Sequence, residues 1–203
     1  MRARVAAVAA VVVAAAAGLA AGLLVAGGVL RPVLPAEGSA EVGFARDMQA
    51  HHAQAVEMAM LVRDRTDDVE LRQVALDIVL TQQQQQGQMY GWLAVWGLPQ
   101  ASSAAPMAWA ADHGHDGDAS EGARMPGMAT PEQLAELRGA DGPAAEQLFL
   151  ALMIDHHEGG VAMARSALDL ADHPAVRRLA QAVVDSQTAE IAVLDDLRAR
   201  LAG

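Results

Sequence analysis

Two segments of this chain carry histidine and methionine in the same order and at the same spacing. In each segment a Phe and a Met precede a His-His pair, and a Met-Ala pair follows it. The second segment lies 105 residues after the first, so that His51 corresponds to His156. Imidazole and thioether groups both bind metals, and the thioether favours soft ions such as Cu(I). The candidate ligands are Met48, His51, His52, Met58, Met153, His156, His157 and Met163.

The spacing within each segment places these residues on one side of a helix. At about 100° per residue, His51 and His52 flank the meridian of Met48, on a face that also holds Ala55. In the second segment Gly160 takes the place of Ala55. Small residues at this position leave room beside the imidazoles. The pattern therefore predicts a soft-metal site formed by two equivalent helices around a pseudo-twofold axis.

The elements that must position these residues are helices, because apolar residues recur at helical spacing and no segment reads as a strand. The repeat continues into the helix that follows each His-His segment, so the unit is a helical hairpin, present twice. Two such hairpins bury their apolar faces best as an all-α, four-helix bundle. We expect long helices at about 41–65, 67–96, 141–170 and 172–202, and a short helix that begins at Thr130-Pro131 and ends near 138.

Polar residues interrupt the apolar faces of the second helix of each hairpin. If the first hairpin turns near residues 66–67, His51 lies level with Gln82 and His52 with Thr81. Buried polar groups need partners, and a metal-bound imidazole needs an acceptor for its other N–H. We therefore predict one polar layer across the bundle. Its supporting residues are Thr81, Gln82, Ser186, Gln187 and Glu190.

Two other interpretations of this layer stay open. A histidine on an apolar face is often a hydrogen-bonded core residue, and methionine often fills a core, so the bundle could be an interaction module without a metal. A redox protein of the ferritin-like type with two metal ions is disfavoured, because its Glu-x-x-His motif does not occur. No nucleophile–base arrangement or phosphate-binding loop occurs either. The sequence thus predicts a metal-binding protein that is not an enzyme.

The connection between the hairpins offers a second group of metal-ligating side chains. His113 and His115 alternate with aspartate and glycine, and Met125 and Met128 follow. Short tracts of this kind are weak signals, so a solvated linker is the alternative interpretation. We treat these four residues as candidate accessory ligands.

The N-terminal segment predicts export. Residues 5–30 are uncharged and apolar, and two arginines precede them. About 20 such residues span a bilayer, so the segment is either a signal anchor or a cleaved signal peptide. The rest of the chain would lie outside the cytoplasm, tethered to the membrane or released. The predicted organisation is a signal segment (1–31), a linker (32–40) and a bundle (41–202), the last divided into repeat one (41–97), connection (98–142) and repeat two (143–202).

Composition narrows the range of partners. A net charge of −11 disfavours nucleic acid, because phosphate binding requires a basic surface. The absence of cysteine excludes disulfides, thiolate ligands and c-type haem. Methionine is then the only soft ligand left, which favours copper. The expected partner is a metal ion, and the pattern is compatible with both a monomer and a homodimer.

The repeated phrase resembles a bacterial family known as domain of unknown function 305. That family carries Phe, Met, His-His and Met-Ala in a helical bundle, often twice. The segments that begin at Phe44 and Phe149 both match, as does the lead-in Met125-Pro-Gly-Met128, and the resemblance covers roughly residues 41–200. It implies a ferritin-like architecture, export, and sequestration or delivery of Cu(I) or Cu(II) through Met and His. One departure is Gly159-Gly160, where bulkier residues usually follow His-His.

Overall fold

The computed structural model describes residues 11–23, 34–113 and 124–202. The chain divides into two compact units, Met1–Leu34 and Pro35–Gly203. In the first unit residues 11–23 are helical. No helix within the described ranges is both long and apolar enough to cross a bilayer. The rest of the predicted signal segment, residues 1–10 and 24–31, lies outside these ranges.

The second unit is built from helices, and its described residues contain no strand, which confirms the predicted all-α class. A 3-10 helix at Ala108–His113 lies in the connection between the hairpins. The five α-helices are α1 (Ala40–Arg63), α2 (Val69–Trp96), α3 (Pro131–Gly139), α4 (Gly142–Leu170) and α5 (Pro174–Leu201).

Local sequence signals set the ends of these helices. The Asp68 side chain accepts a hydrogen bond from the backbone N–H of Leu71 (2.8 Å) at the start of α2, and Gly97 ends that helix in the left-handed conformation with φ +71°. Thr130 begins α3 with a capping box that includes Gln133. His173 caps α5 by accepting from the backbone N–H of the second residue of the helix.

The two hairpins pack so that the repeated segments meet. α1 packs against α2, α4 packs against α5, and the hairpins contact each other through α1 and α4. The interior forms two apolar clusters, each with side chains from all four long helices. Met58 and Met153 belong to the first cluster, whereas Met48 and Met163 belong to the second. Along α1 the chain passes from the second cluster to the first, and along α4 it passes from the first cluster to the second. The two helices are therefore antiparallel.

Candidate metal site

Four histidine side chains lie between the two apolar clusters. His51 and His52 on α1, and His156 and His157 on α4, are each 0% exposed. The side chains of three glutamines from α2 and α5 are buried with them, namely Gln82, Gln85 and Gln187. This set, together with Glu190, is called the histidine layer below.

His51 and His156 face each other at the centre of the layer. Their ring centroids are 3.8 Å apart and their planes are inclined by 34°. Each ring lies farther, 6.5 Å, from that of its neighbour in sequence. Because these two histidines occupy equivalent positions of the repeat, the pseudo-twofold axis that relates the two hairpins passes between them.

His52 and His157 are each held by the second helix of their own hairpin. The Nε2 atom of His52 lies 2.6 Å from Oε1 of Gln85 on α2. The Nε2 atom of His157 lies 2.7 Å from Oε2 of Glu190 on α5. Gln85 and Glu190 are also equivalent in the repeat, so the same contact occurs twice with different acceptors, an amide and a carboxylate.

His51 is held by the connection between the hairpins rather than by a helix. Its Nε2 donates to the backbone carbonyl of Pro126 at 3.0 Å. Pro126 lies in residues 125–128, called the strap below. A Cβ on Gly159 would collide with this carbonyl, and a Cβ on Gly127 (φ +73°) would collide with the carbonyl of Asp155. The two glycines thus allow the strap backbone to lie directly on α4 and reach His51.

Gly160, the next residue of α4, lies against the side chain of Gln187, whereas Gly159 lies against the backbone of the strap. A Cβ on Gly160 would collide with Oε1 of Gln187 and would lie 3.2 Å from Cε1 of His51. Gly159 and Gly160 both lie inside α4, which continues unbroken to Leu170. The Gly-Gly pair that departs from the family pattern therefore makes room on one side for the strap and on the other for the histidine layer.

In three of the four histidines the hydrogen bond is made by the same ring nitrogen, Nε2. An oxygen atom accepts from Nε2 of His51, His52 and His157, so the Nε2 atom carries the proton and Nδ1 holds a lone pair. These three Nδ1 atoms are buried and have no hydrogen-bond partner among the described residues, and neither ring nitrogen of His156 has one. A metal-binding histidine commonly donates its other N–H to a carbonyl, amide or carboxylate oxygen. Three of the four histidines have that arrangement.

Burial also keeps three of the four imidazoles uncharged, those of His51, His52 and His156. Removal from water lowers the pKa of His51 to about 4, although the bond to Pro126 opposes the shift. Burial, together with the neighbouring His51, lowers the pKa of His52 to about 3. The pKa of His156 is also well below its ordinary value, mainly through burial. Neutral imidazole is the form that binds metals, and these three histidines are in that form at neutral pH.

The methionines border the layer on both sides. Met48 and Met163 lie in one apolar cluster and Met58 and Met153 in the other, and all four are 0% exposed. Within the described part of the chain, no group of three or more His, Cys, Asp or Glu side chains is arranged to hold a metal ion. This absence includes the four histidines, so no three imidazoles converge on one point in the arrangement described, and an ion held by more than two of them would require the rings to move. The donors of the layer and its bordering clusters are imidazole nitrogen and thioether sulfur, and thioether sulfur favours a soft ion such as Cu(I) over calcium, which prefers oxygen ligands.

The remaining residues predicted to support the layer fall into two groups. Gln82 and Gln187 are buried in it, and their amide groups have no hydrogen-bond partner within the described ranges. Thr81 and Ser186 are only half-buried, and the Ser186 hydroxyl donates to the carbonyl of Val183 in its own helix at 3.4 Å. The acceptors for His52 and His157 lie one helical turn farther along, at Gln85 and Glu190.

The candidate accessory ligands are only partly described. Met125 and Met128 are the two ends of the strap and are half-buried, and Met125 packs against the cluster that contains Met48. His113 ends the 3-10 helix, and its side chain lies outside the description, as does the whole of His115. The structure therefore places the two methionines of this group against the bundle and gives no position for the two imidazoles.

Sequence reasoning missed the Pro126 carbonyl. It placed Gln85 among the polar residues that interrupt an apolar helix face, as the match of Glu190 across the repeat, but did not name Gln85 as a supporting residue of the layer. The Pro126 contact had one indirect sign, the Gly159-Gly160 pair on the helix that the strap covers.

Comparisons with known proteins agree with the repeat. The model of the family domain of unknown function 305 (DUF305) matches residues 41–198. A DUF305 protein from Streptomyces coelicolor, inferred to be secreted, is 46% identical with a TM-score of 0.74 over 83% of this chain and 97% of that chain. A DUF305 fragment from Deinococcus radiodurans is 37% identical with a TM-score of 0.66, over 79% of this chain and 96% of that one.

A more distant likeness concerns a protein with a described metal. CopM in its Cu(I)-bound form is 22% identical with a TM-score of 0.61, over 80% of this chain and 98% of that chain. CopM structures also exist in Cu(II)-bound, Ag-bound and apo forms. At this identity the likeness shows a shared fold. Comparison with curated proteins finds no match.

Proposed function

This chain belongs to the DUF305 family, as its sequence pattern indicated, and we propose that it is an exported copper-binding protein. It sequesters or delivers the ion outside the cytoplasm, without catalysing a reaction. The observation that carries the proposal is the histidine layer. Five buried imidazole nitrogens there lack a hydrogen-bond partner within the described ranges, two of them on His156. Four buried methionines border them.

The energetics of burial support a ligand role for these nitrogens. A buried polar group without a partner costs about 1–3 kcal/mol, and a layer with only a structural role would be expected to pair its groups. Here the N–H groups of three histidines are paired while the lone pairs are not. Neutral His156 adds one further lone pair and one N–H, so the unpaired lone pairs number four. Metal ions bind lone pairs, and an ion is the partner that we propose for these four.

The relatives support the class of ion and the compartment. CopM, which shares the fold, has structures with copper and silver bound. The Streptomyces coelicolor relative is inferred to be secreted, which supports export of this chain. A retained N-terminal anchor and a cleaved signal both place the bundle outside the cytoplasm.

The residues divide into roles by their surroundings. His51 and His156, at the centre of the layer, are the central ligands of the proposed site. Their ring centroids are 3.8 Å apart, so the rings would have to separate for both to bind one ion. His52 and His157 present Nδ1 from either side. Thioethers come from Met48 with Met163 on one side of the layer, and from the two methionines of the other cluster on the opposite side.

One observation favours a second candidate, an interaction bundle whose histidine layer is structural. The contacts His52–Gln85 and His157–Glu190 are ordinary buried hydrogen bonds. The two candidates make opposite predictions for His156, whose ring nitrogens have no side-chain partner within the described ranges and make only a weak contact with the backbone of His51.

The test replaces the central pair with apolar side chains, as His51→Leu/His156→Leu. We expect the full-length chain to bind Cu(I) tightly and saturably in competition with a calibrated chelator, and its melting temperature to rise. The double variant should bind at least about 100-fold more weakly, beyond the 10–100-fold typical for loss of a ligand's hydrogen-bond partner. Without metal it should lose no more than about 1 kcal/mol, because the lost hydrogen bond between His51 and Pro126 is offset by the removal of unpaired polar nitrogens from the core.

His173→Asn provides the matched control. This change removes an imidazole outside the layer, and asparagine preserves helix capping. It should leave copper affinity unchanged. Wild-type affinity in the double variant would contradict the assignment of ligands. A large loss of stability in the metal-free double variant would support the structural candidate.

A further inference from the structure

The charges that touch the histidine layer are not symmetric. His52 donates to the neutral amide of Gln85, whereas the equivalent His157 donates to the carboxylate of Glu190. Gln82 and Gln187, also equivalent in the repeat, are both neutral. Across the described ranges, Glu190 is the one carboxylate hydrogen-bonded to any of the four histidines.

The other carboxylates near the layer in sequence are engaged elsewhere or exposed. Asp47 accepts from the backbone N–H of Met107 and from the Trp109 indole, both at 2.8 Å. Glu57 pairs with Arg138 at the surface. Asp155 and Glu158, beside the histidines on α4, are exposed to solvent. None of them touches an imidazole of the layer, so Glu190 carries the local negative charge.

The number of charges decides which ions such a site can hold. The free-energy cost of moving an ion from water into a protein interior rises with the square of the ion's charge, unless an opposite charge compensates it. Neutral nitrogen and sulfur donors add no charge of their own. One carboxylate therefore balances a monovalent ion, and a divalent ion would leave one positive charge uncompensated inside the bundle.

We propose, on the basis of the copper-binding function above, that the layer holds one monovalent soft cation, Cu(I) or Ag(I), whose counter-charge is Glu190. Glu190 acts through His157 as a positioning residue and does not itself bind the ion. The layer disfavours divalent ions because the position equivalent to Glu190 is occupied by Gln85, so that no second carboxylate is present. The asymmetry between the two halves of the repeat thus sets the selectivity of the site.

The test exchanges amide and carboxylate at the two equivalent positions. Glu190→Gln and Gln85→Glu keep the shape of the side chain and an oxygen that can accept from the imidazole N–H. Affinities of the full chain for Ag(I), for Cu(I) without oxygen and for Zn(II) are measured in competition with calibrated chelators. The Glu190→Gln variant should bind Ag(I) about 10–100-fold more weakly. The Gln85→Glu variant should bind Zn(II) at least about 10-fold more tightly than the wild type, because it adds a second carboxylate.

The double exchange, Glu190→Gln/Gln85→Glu, distinguishes a charge role of Glu190 from a role in folding. It moves the single carboxylate to the other half of the repeat, so Ag(I) affinity should return to within a few-fold of the wild type. A role of Glu190 in folding alone would not predict this recovery. The melting temperature of each metal-free variant shows whether it is folded, and the Zn(II) gain in Gln85→Glu tests the charge argument in a chain that retains Glu190.

Three results would overturn the inference. The first is unchanged Ag(I) affinity in the Glu190→Gln variant, and the second is a wild type that binds Zn(II) as tightly as Ag(I). The third is a double exchange that folds but does not recover Ag(I) binding. A wild type that binds neither copper nor silver would instead refute the proposed function itself.

Discussion

At the residue scale, the central feature is that burial leaves imidazole lone pairs facing a closed interior. The Nε2–H groups of His51, His52 and His157 donate to oxygen atoms, and their Nδ1 atoms have no partner in the described part of the chain. The positions of all four histidines followed from the repeat. The identity of the free nitrogen did not, because it depends on which atoms of α2, α5 and the strap lie within hydrogen-bond distance.

The lowered histidine pKa values predict an acid-sensitive metal-free protein. An unfolded histidine has a pKa of about 6.5, whereas His51 and His52 have pKa values of about 4 and about 3 when folded. Below pH 6.5 the unfolded chain therefore binds more protons, and the free energy of unfolding falls as the pH falls towards 4. Each of these histidines contributes up to about 1.4 kcal/mol per pH unit in that window.

Urea denaturation of the metal-free chain between pH 7.5 and 4.5 measures this dependence. His51→Leu/His156→Leu should show a shallower decline, because it removes two of the buried histidines with lowered pKa values. Equal slopes for the wild type and the variant would show that these imidazoles do not remain uncharged on folding.

At the scale of elements, the contact between the strap and α4 depends on Gly159. The Gly159→Ala substitution would place a methyl group against the backbone carbonyl of Pro126, so the strap must shift and His51 loses its acceptor. Overpacking of this kind costs about 1–3 kcal/mol, and alanine returns up to about 1 kcal/mol through its helix propensity. We expect a net loss of about 1–2 kcal/mol in the free energy of unfolding, measured by chemical denaturation.

Gly160→Ala is the matched control, one residue farther along the same helix. Its methyl group would meet the amide end of Gln187, which can rotate and has no hydrogen bond to lose within the described ranges, and would lie 3.2 Å from Cε1 of His51. We expect a net loss below about 1 kcal/mol, smaller than for Gly159→Ala, since side-chain ends give way more easily than backbone and helix propensity offsets part of the adjustment. Equal losses at the two positions would mean that the strap does not rest on α4 as described.

The helices were predictable because their signals are local. The capping box at Thr130, the acidic cap of α2 and Gly97 each act within a few residues, and the observed helices begin and end close to the predicted positions. The register between α1 and α2 was harder to predict. An assumed turn centre near residues 66–67 placed His52 level with Thr81, whereas the hydrogen bond of His52 goes to Gln85, one helical turn farther along α2.

The strap illustrates what a sequence pattern does not contain. The acceptor for His51 is a backbone atom 75 residues away. A backbone carbonyl carries no residue-type signal, so no spacing of side chains could indicate it. The Gly159-Gly160 pair was visible in the sequence, but two glycines in a helix predict either local loosening or a close neighbour. Only the packing of Pro126 against α4 distinguishes these outcomes.

At the scale of the whole bundle, polar contacts tie the hairpins together where α1 turns into α2. The hydroxyl of Thr66 donates to Glu146 of α4 at 2.6 Å and accepts from the backbone N–H of Asp68 at 3.0 Å. Thr66 is 1% exposed and Glu146 is 8% exposed. Arg200 of α5 also pairs with Asp68 at 2.8 Å, but this contact lies at the surface, where ion pairs contribute about 0–1 kcal/mol.

The buried Thr66–Glu146 contact should therefore matter more to stability than the exposed ion pair. Thr66→Val removes the donor and leaves a buried carboxylate without its hydrogen bond, at a cost of about 1–3 kcal/mol. Thr66→Ser keeps the hydroxyl and should cost less than about 1 kcal/mol. Denaturation curves of the two variants separate the hydrogen bond from the packing of the methyl group, and similar losses would assign the effect to packing.

The complete burial of the four imidazoles has a consequence for rates. No ring of the layer has exposed surface, and the strap covers His51. An ion can reach these nitrogens or leave them only when the strap or a helix moves, and such motions take microseconds to seconds. The residence time of an ion would then follow the opening frequency of the chain rather than the strength of its bonds to nitrogen and sulfur. Weakly held and tightly held ions would leave through the same slow step.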